Sequence, residues 1–211
     1  MLPTIAKIIA APACLDQFYE DKFSFWDDVE GFDFSFLGGI SMAKSLEQPQ
    51  LECIEESQQL SDSVEVVSID CRTITIDQIQ EITKSIDFSI QKDGTIHAIS
   101  LWFDVTFLGT NNVVLSTSPS APPTHWKQTL VLLPQPLPLE IGDNLSTTIN
   151  LTVSPDHPRR YLLKIHIGNG EENQEDDDEM VTDQDMYNKL LEACMKNSEN
   201  DNEMNETESK Q

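Results

Sequence analysis

Positive charge is scarce in this chain: 13 lysines and arginines stand against 37 aspartates and glutamates, a net of -24. Nucleic acids and anionic membranes are held by basic surface, so neither is an expected partner. The acid excess favours cationic partners such as Arg- or Lys-rich peptides, although charge runs also serve solubility alone. Glycine is scarce too. The 8 glycines include no Gly-x-Gly-x-x-Gly spacing, the pattern that lets backbone approach a dinucleotide. Gly168-Asn169-Gly170 follows a strand-like run but lacks a third glycine and opens onto acid. Cysteines stand only at 14, 53, 71 and 194, with no Cys-x-x-Cys pair, which fits free thiols in a reducing compartment. Together with His97, His125, His157 and His166 they have the composition of a zinc site but no ligand spacing, so no metal is expected. No apolar run is long enough to span a bilayer. Residues 1–13 have the apolar look of a signal peptide, but Lys7 splits the stretch and no basic region precedes it.

The charge is unevenly placed. Residues 171–211 hold 15 acidic and 3 basic residues, the composition of a solvated, disordered tail. Within it, Met186, Leu190, Leu191 and Cys194 share a helical spacing, and Thr182 with Asp185 offers a cap. A short helix over 182–196 is the expectation. Residues 1–170 hold the rest of the chain's bulk and form the expected folded domain.

That domain reads as antiparallel β. From 99 to 107, Ile99, Leu101, Phe103, Val105 and Phe107 alternate with smaller or polar residues, Trp102 excepted. A period of two predicts one buried face and one wetter face. Residues 87–91 precede it through Lys92-Asp93-Gly94-Thr95, which predicts a hairpin, because Asp-Gly suits a turn with two positive φ angles. A second hairpin is predicted from Leu145, Ile149, Leu151 and Val153 to Tyr161, Leu163, Ile165 and Ile167, turning at residues 155–158. Further strands are expected at 64–69, 72–76 and 128–133, with the prolines of 134–138 ending the last. No βαβ rhythm is visible, so a barrel or sandwich is expected.

Residues 25–37 are unusually aromatic. Trp26, Val29 and Phe32 are three apart and predict a helical stripe. Such a stripe belongs either to a core helix or to an arm whose aromatics bury in another chain.

One stretch is more specific than all of these. Leu115 to Gln128, with Ser116-Thr117-Ser118-Pro119 and Thr124-His125-Trp126-Lys127, resembles the loop that reaches from the C-terminal β-barrel of protein arginine methyltransferases into their active site. Other blocks follow the same order: residues 1–6 as the lead-in to the barrel, Phe25-Trp26 through Val29-Glu30-Gly31-Phe32-Asp33 as the dimerisation arm, residues 99–104 as the central strand, and Gly142-Asp143 with Pro158-Arg159-Arg160 as the late hairpin. The resemblance covers residues 1 to about 168 and is closest to the small, type I-like, asymmetric-dimethylating members. It implies an antiparallel barrel over 1–170, an arm at about 19–43 inserted in it, and a nuclear or cytoplasmic location.

The resemblance also implies roles. Thr124 and Trp126 would wall the arginine-binding mouth, and His125 would orient acidic partners from a cofactor domain. Trp26, Val29 and Phe32 would make the dimer contact, with Glu30 standing where the family's arm usually has tyrosine. The complete enzyme would use S-adenosyl-L-methionine. This chain alone would bind no cofactor, because the glycine-rich loop and the family's paired glutamates are missing; Glu55-Glu56 reads as an exposed polar turn. Two functions therefore stand side by side: the substrate-side half of an enzyme acting on arginine-rich or histone-like proteins, paired as a homodimer or with a full-length methyltransferase, and a stand-alone acidic module that binds basic peptides or regulates such an enzyme.

Overall fold

The computed structural model describes residues 2–168; the acidic segment 171–211 and the helix expected at 182–196 lie outside them. The described chain falls into two compact units, residues 2–15 with 49–168, and residues 16–48.

The larger unit is mostly antiparallel β. Its strands are β1 (Ile5–Ala13), β2 (Gln50–Glu52), β3 (Val64–Asp70), β4 (Glu81–Ser89), β5 (Gly94–Phe107), β6 (Val113–Ser116), β7 (Gln128–Leu139), β8 (Asn144–Val153) and β9 (Tyr161–Gly168). One sheet runs β2-β7-β5-β1-β3, with β6 added to β5; the other runs β4-β8-β9. Their inner faces share one apolar core that includes Ile8, Ala10, Val66, Ile86, Phe88, Ile96, Ile99, Leu101, Leu133, Leu145, Ile149 and Leu151. Each large side chain taken fully out of water there stabilises the fold by about 1.5–3 kcal/mol. The all-β, antiparallel expectation holds.

The period-two reading places β8 and β9 well. Leu145, Thr147, Ile149 and Leu151 are buried while their neighbours are not, and Val153 pairs with Tyr161 across the predicted turn. The outer face of the small sheet is polar: Ser146 donates to Asp87 at 2.6 Å, and Asn150 donates to Glu81 and Thr83 at 3.0 and 2.8 Å.

Five expectations are corrected. Residues 87–91 and β5 form no hairpin: β4 pairs β8, whereas β5 pairs β1, β6 and β7. At Gly94, which lies in β5 and not in a turn, a Cβ would meet Leu60 Cδ2 at 2.9 Å, so a larger residue would displace that side chain. β5 has no wet face over its first half: every residue from Ile96 to Trp102 is buried, because the strand is central and Ser100 satisfies its hydroxyl on Ala11 O at 2.8 Å. β7 does not stop at proline but continues to Leu139. Pro134, Pro136 and Pro138 alternate, so their missing donors fall on one edge, and β2 covers β7 only at residues 128–130. Residues 72–76 are not a strand. Asp70 accepts from Arg72 N at 2.9 Å and from its guanidinium at 3.0 and 2.6 Å, which turns the chain into helix α3 (Ile76–Gln80), capped by Thr75 and Gln78.

The fifth correction concerns the smaller unit. Residues 25–37 are not one helix. The unit contains α1 (Asp16–Lys22), a 3-10 turn Ser24–Asp27 and α2 (Ser35–Glu47). Between the last two, Val29 and Phe32 bridge across a tight turn in which Glu30 and Gly31 take φ of 55° and 85°. Aspartates fix it, with Asp28 accepting from Gly31 N and Asp33 from Ser35 N, both at 2.8 Å. Those bonds compete successfully with helix. Tyr19, Phe18 and Phe23 pack edge to face, and burial raises the Tyr19 hydroxyl to about 12.

Candidate functional site

The candidate loop runs between β6 and β7, and both of its ends are fastened. At its start, Thr117 donates N–H to Phe103 O at 3.1 Å, its hydroxyl donates to the same oxygen at 2.9 Å, and it accepts from Phe103 N at 3.1 Å. At its end, Gln128 Nε2 donates to Thr117 O at 2.7 Å while Gln128 Oε1 accepts from Ile54 N at 2.9 Å. Gln128 is itself buried. One side chain thus ties loop end, loop start and the segment after β2 together. Buried amides in such a network are costly to remove, because each lost partner leaves a desolvated group.

Between these fastenings the chain makes two turns. Ala121 N donates to Ser118 O at 3.1 Å, and Lys127 N donates to Thr124 O at 3.2 Å. The second turn carries Thr124, His125 and Trp126. His125 is exposed and stacks on Trp126 with ring centroids 4.0 Å apart. Trp126, 45% exposed, rests edge-on against Phe103 at 5.7 Å. Thr124 Oγ1 is buried and has no hydrogen-bond partner among the described residues. The arrangement presents an aromatic and imidazole wall to solvent, with a polar group behind it.

The first half of the loop lines a pocket of about 310 Å³. Ser116, Ser118 and Ser120 line it together with Glu56, Asp62 and Asp104, with Trp102 and Ile9 also among its walls. Asp104 Oδ1 is buried without a partner among the described residues. Nearby Lys7 is held by Glu65 at 2.6 Å, and that hydrogen bond raises its ammonium pKa. The pocket is polar and acidic, suited to a cationic group. Sequence reasoning missed it, because its carboxylates come from segments distant in the chain. It read Phe103 as a strand residue and Gln128 as the end of the loop, and gave neither a part in the site.

The arm residues are placed differently from the expectation. Trp26 lies on the 3-10 turn and Val29 and Phe32 on the tight turn, so no helical stripe joins them. The unit nevertheless exposes Phe25 (51%), Phe32 (67%) and Phe36 (53%), too much apolar surface in one small unit to be ordinary. Asp27, Asp28, Glu30 and Asp33 are exposed among them. Of the histidines, His97 is buried and its Nδ1 accepts from Leu15 N at 3.1 Å, the behaviour of a core histidine.

Comparison with known proteins gives this fold a family. The family model for the arginine methyltransferase oligomerization subdomain matches residues 4–169. Human protein arginine N-methyltransferase 2 is 32% identical over 158 residues, covering 72% of this chain and 36% of that protein. Protein arginine N-methyltransferase 6 of Xenopus tropicalis is 31% identical, covering 81% of this chain and 52% of its own length. Among solved structures, a chain of the Trypanosoma brucei PRMT1 enzyme–prozyme heterotetrameric complex with AdoHcy matches with a TM-score of 0.69 at 27% identity, covering 83% of this chain and 55% of that one. The crystal structure of PRMT6 matches with a TM-score of 0.61 at 27% identity over 80% of this chain and 55% of that one. The chain spans about half or less of the length of these relatives. It belongs to the protein arginine methyltransferase family, as the C-terminal barrel half that carries the oligomerization subdomain.

Proposed function

We propose that this barrel is the substrate-side and pairing half of a protein arginine methyltransferase, with Thr124, His125 and Trp126 at the mouth of the arginine site. The observation that carries the reading is the fastened turn that presents His125 and Trp126 together, 4.0 Å apart. A guanidinium is planar and cationic, so a flat aromatic face and nearby acceptors suit it. Trp126 supplies the face. His125 hydrogen-bonds an acidic partner on the cofactor domain and orients it. The acidic pocket beside the loop suits basic residues that flank the target arginine in arginine-rich or histone-like proteins, and charge of opposite sign steers them in.

S-adenosyl-L-methionine, implied by the family, does not fit the described residues. All their strands are antiparallel, and none leads through a glycine-rich turn into a helix that could receive it. The methyl donor belongs to a cofactor domain, in a longer polypeptide or in a partner. The second reading, a non-catalytic module that pairs with a full-length methyltransferase and regulates it, is supported by the likeness to a chain of an enzyme–prozyme complex and by the aromatic residues that the arm exposes.

Titration of the chain with a glycine- and arginine-rich peptide tests the site. Trp126→Ala should weaken binding about threefold to tenfold, in the range of a partly exposed cation–π contact, and deletion of residues 171–211 should preserve binding. Binding that survives Trp126→Ala and vanishes with the tail would move recognition from the barrel to the acidic segment.

A further inference from the structure

Neither the His125 nor the Trp126 side chain makes a hydrogen bond among the described residues, so the pair takes its orientation from the edge contact of Trp126 with Phe103 and from the backbone that carries it. The backbone on the C-terminal side is unusual. Lys127 sits at φ 54°, a left-handed conformation that is strained for a residue with a Cβ and free for glycine. Gln128, the next residue, is anchored on both sides. Lys127 is therefore the joint between a fixed strand and an exposed turn. Its ammonium reaches β2, 3.2 Å from Glu52 Oε2 and 3.3 Å from Leu51 O, while its own N–H closes the turn on Thr124 O at 3.2 Å.

The geometry points to Lys127 and Glu52 as positioning residues: a clamp that locks this joint and so fixes the angle at which His125 and Trp126 are presented. The functional meaning of that angle rests on the reading of the turn as the arginine-site wall. A glycine would accept the φ but let the turn swing. Lysine accepts strain and brings its own tether. The two side chains are 41% and 46% exposed, so the pair is screened and modest. It is strong enough to bias a surface turn and too weak to matter to the core.

Hydrogen exchange of the full chain, followed by mass spectrometry on peptides over residues 118–128 at low salt, tests the clamp. Glu52→Gln and Lys127→Met should each speed exchange of the turn about two- to fivefold, the range an exposed pair supports, and the double variant should add nothing further. Lys127→Arg should restore protection. Lys127→Gly should exchange fast although its φ is relieved. High salt should bring the native chain to the Glu52→Gln rate and leave that variant unchanged. Native-like exchange in the single variants, additivity in the double, or equal loosening of β7 would each overturn the clamp. The peptide titration with Trp126→Ala is independent of it: failure there strikes the reading of the site and leaves the clamp standing.

Discussion

Thr147 shows what a single residue can cost this fold. It lies on the inner face of β8, 2% exposed, opposite Ile86, and its Oγ1 is buried without a partner among the described residues. A desolvated hydroxyl with nothing to bond is destabilising, and valine has the same shape without it. Thr147→Val should therefore stabilise the barrel by about 1 kcal/mol, raising the thermal midpoint by roughly 2–4 °C for a unit of this size. A calorimetric scan that shows an unchanged or lower midpoint would mean that the hydroxyl has a donor or acceptor in solution. At this scale the sequence was partly legible. Thr124, His125 and Trp126 could be picked out because they form a local motif. Phe103 and Asp104 carry no such mark, because strand pairing alone brings them beside the turn, and Gln128, the last residue of the loop, shows its buried bonds to Ile54 and Thr117 only in the fold. The alternation that put Leu145, Ile149 and Leu151 inside says nothing about the polar residue that shares their face.

At the scale of elements, β8, β9 and the turn between them were readable, whereas other connections and the burial of β5 were not. The run at 72–76 has β-branched residues, yet it folds as a turn and the start of α3 because Asp70 and Arg72 satisfy each other locally. Residues 25–37 have the spacing of a helix, yet Asp28 and Asp33 bond nearby amides and break it into a 3-10 turn, a tight turn and α2. In both cases a short-range side-chain bond defeats a pattern that assumes regular structure. The Asp-Gly hairpin failed for the opposite reason: the pairing partner of β4 is distant β8, and only the whole core chooses it. The Asp70 turn carries a pH signature. Its hydrogen bonds to Arg72 hold the carboxyl at about 2, below its ordinary 3.8. A depressed acid stabilises the fold above its unfolded pKa and loses that contribution as pH falls through the folded one, here from about pH 4 to 2. The Asp70 carboxyl, followed by carbon-detected NMR, should titrate near 2 in the native chain and higher in Arg72→Ala, though still below its ordinary 3.8 because the backbone N–H of residue 72 remains a donor. A midpoint near 4 in both would show that the pair is not formed in solution.

At the scale of the molecule, the chain combines an antiparallel barrel of the arginine methyltransferase family with an aromatic, acidic arm unit. The net charge of -24 fits partners that are basic. Family membership was legible because the Leu115 to Gln128 loop is a long and specific string; the shape of residues 16–48 was not, since the helical stripe of Trp26, Val29 and Phe32 gives way to a 3-10 turn and a tight turn. What remains to be tested is whether this half works on arginine. The decisive experiment is capture of the native protein, with whatever is joined or bound to it, by an antibody against residues 171–211, followed by methyl transfer from S-adenosyl-L-methionine to an arginine-rich histone peptide. Captured material should transfer methyl groups to arginine, and a His125→Ala version expressed at the same level should be slower by about 10- to 100-fold, the cost of a misplaced catalytic neighbour. No transfer, or transfer indifferent to His125→Ala, would contradict the proposed role of the turn.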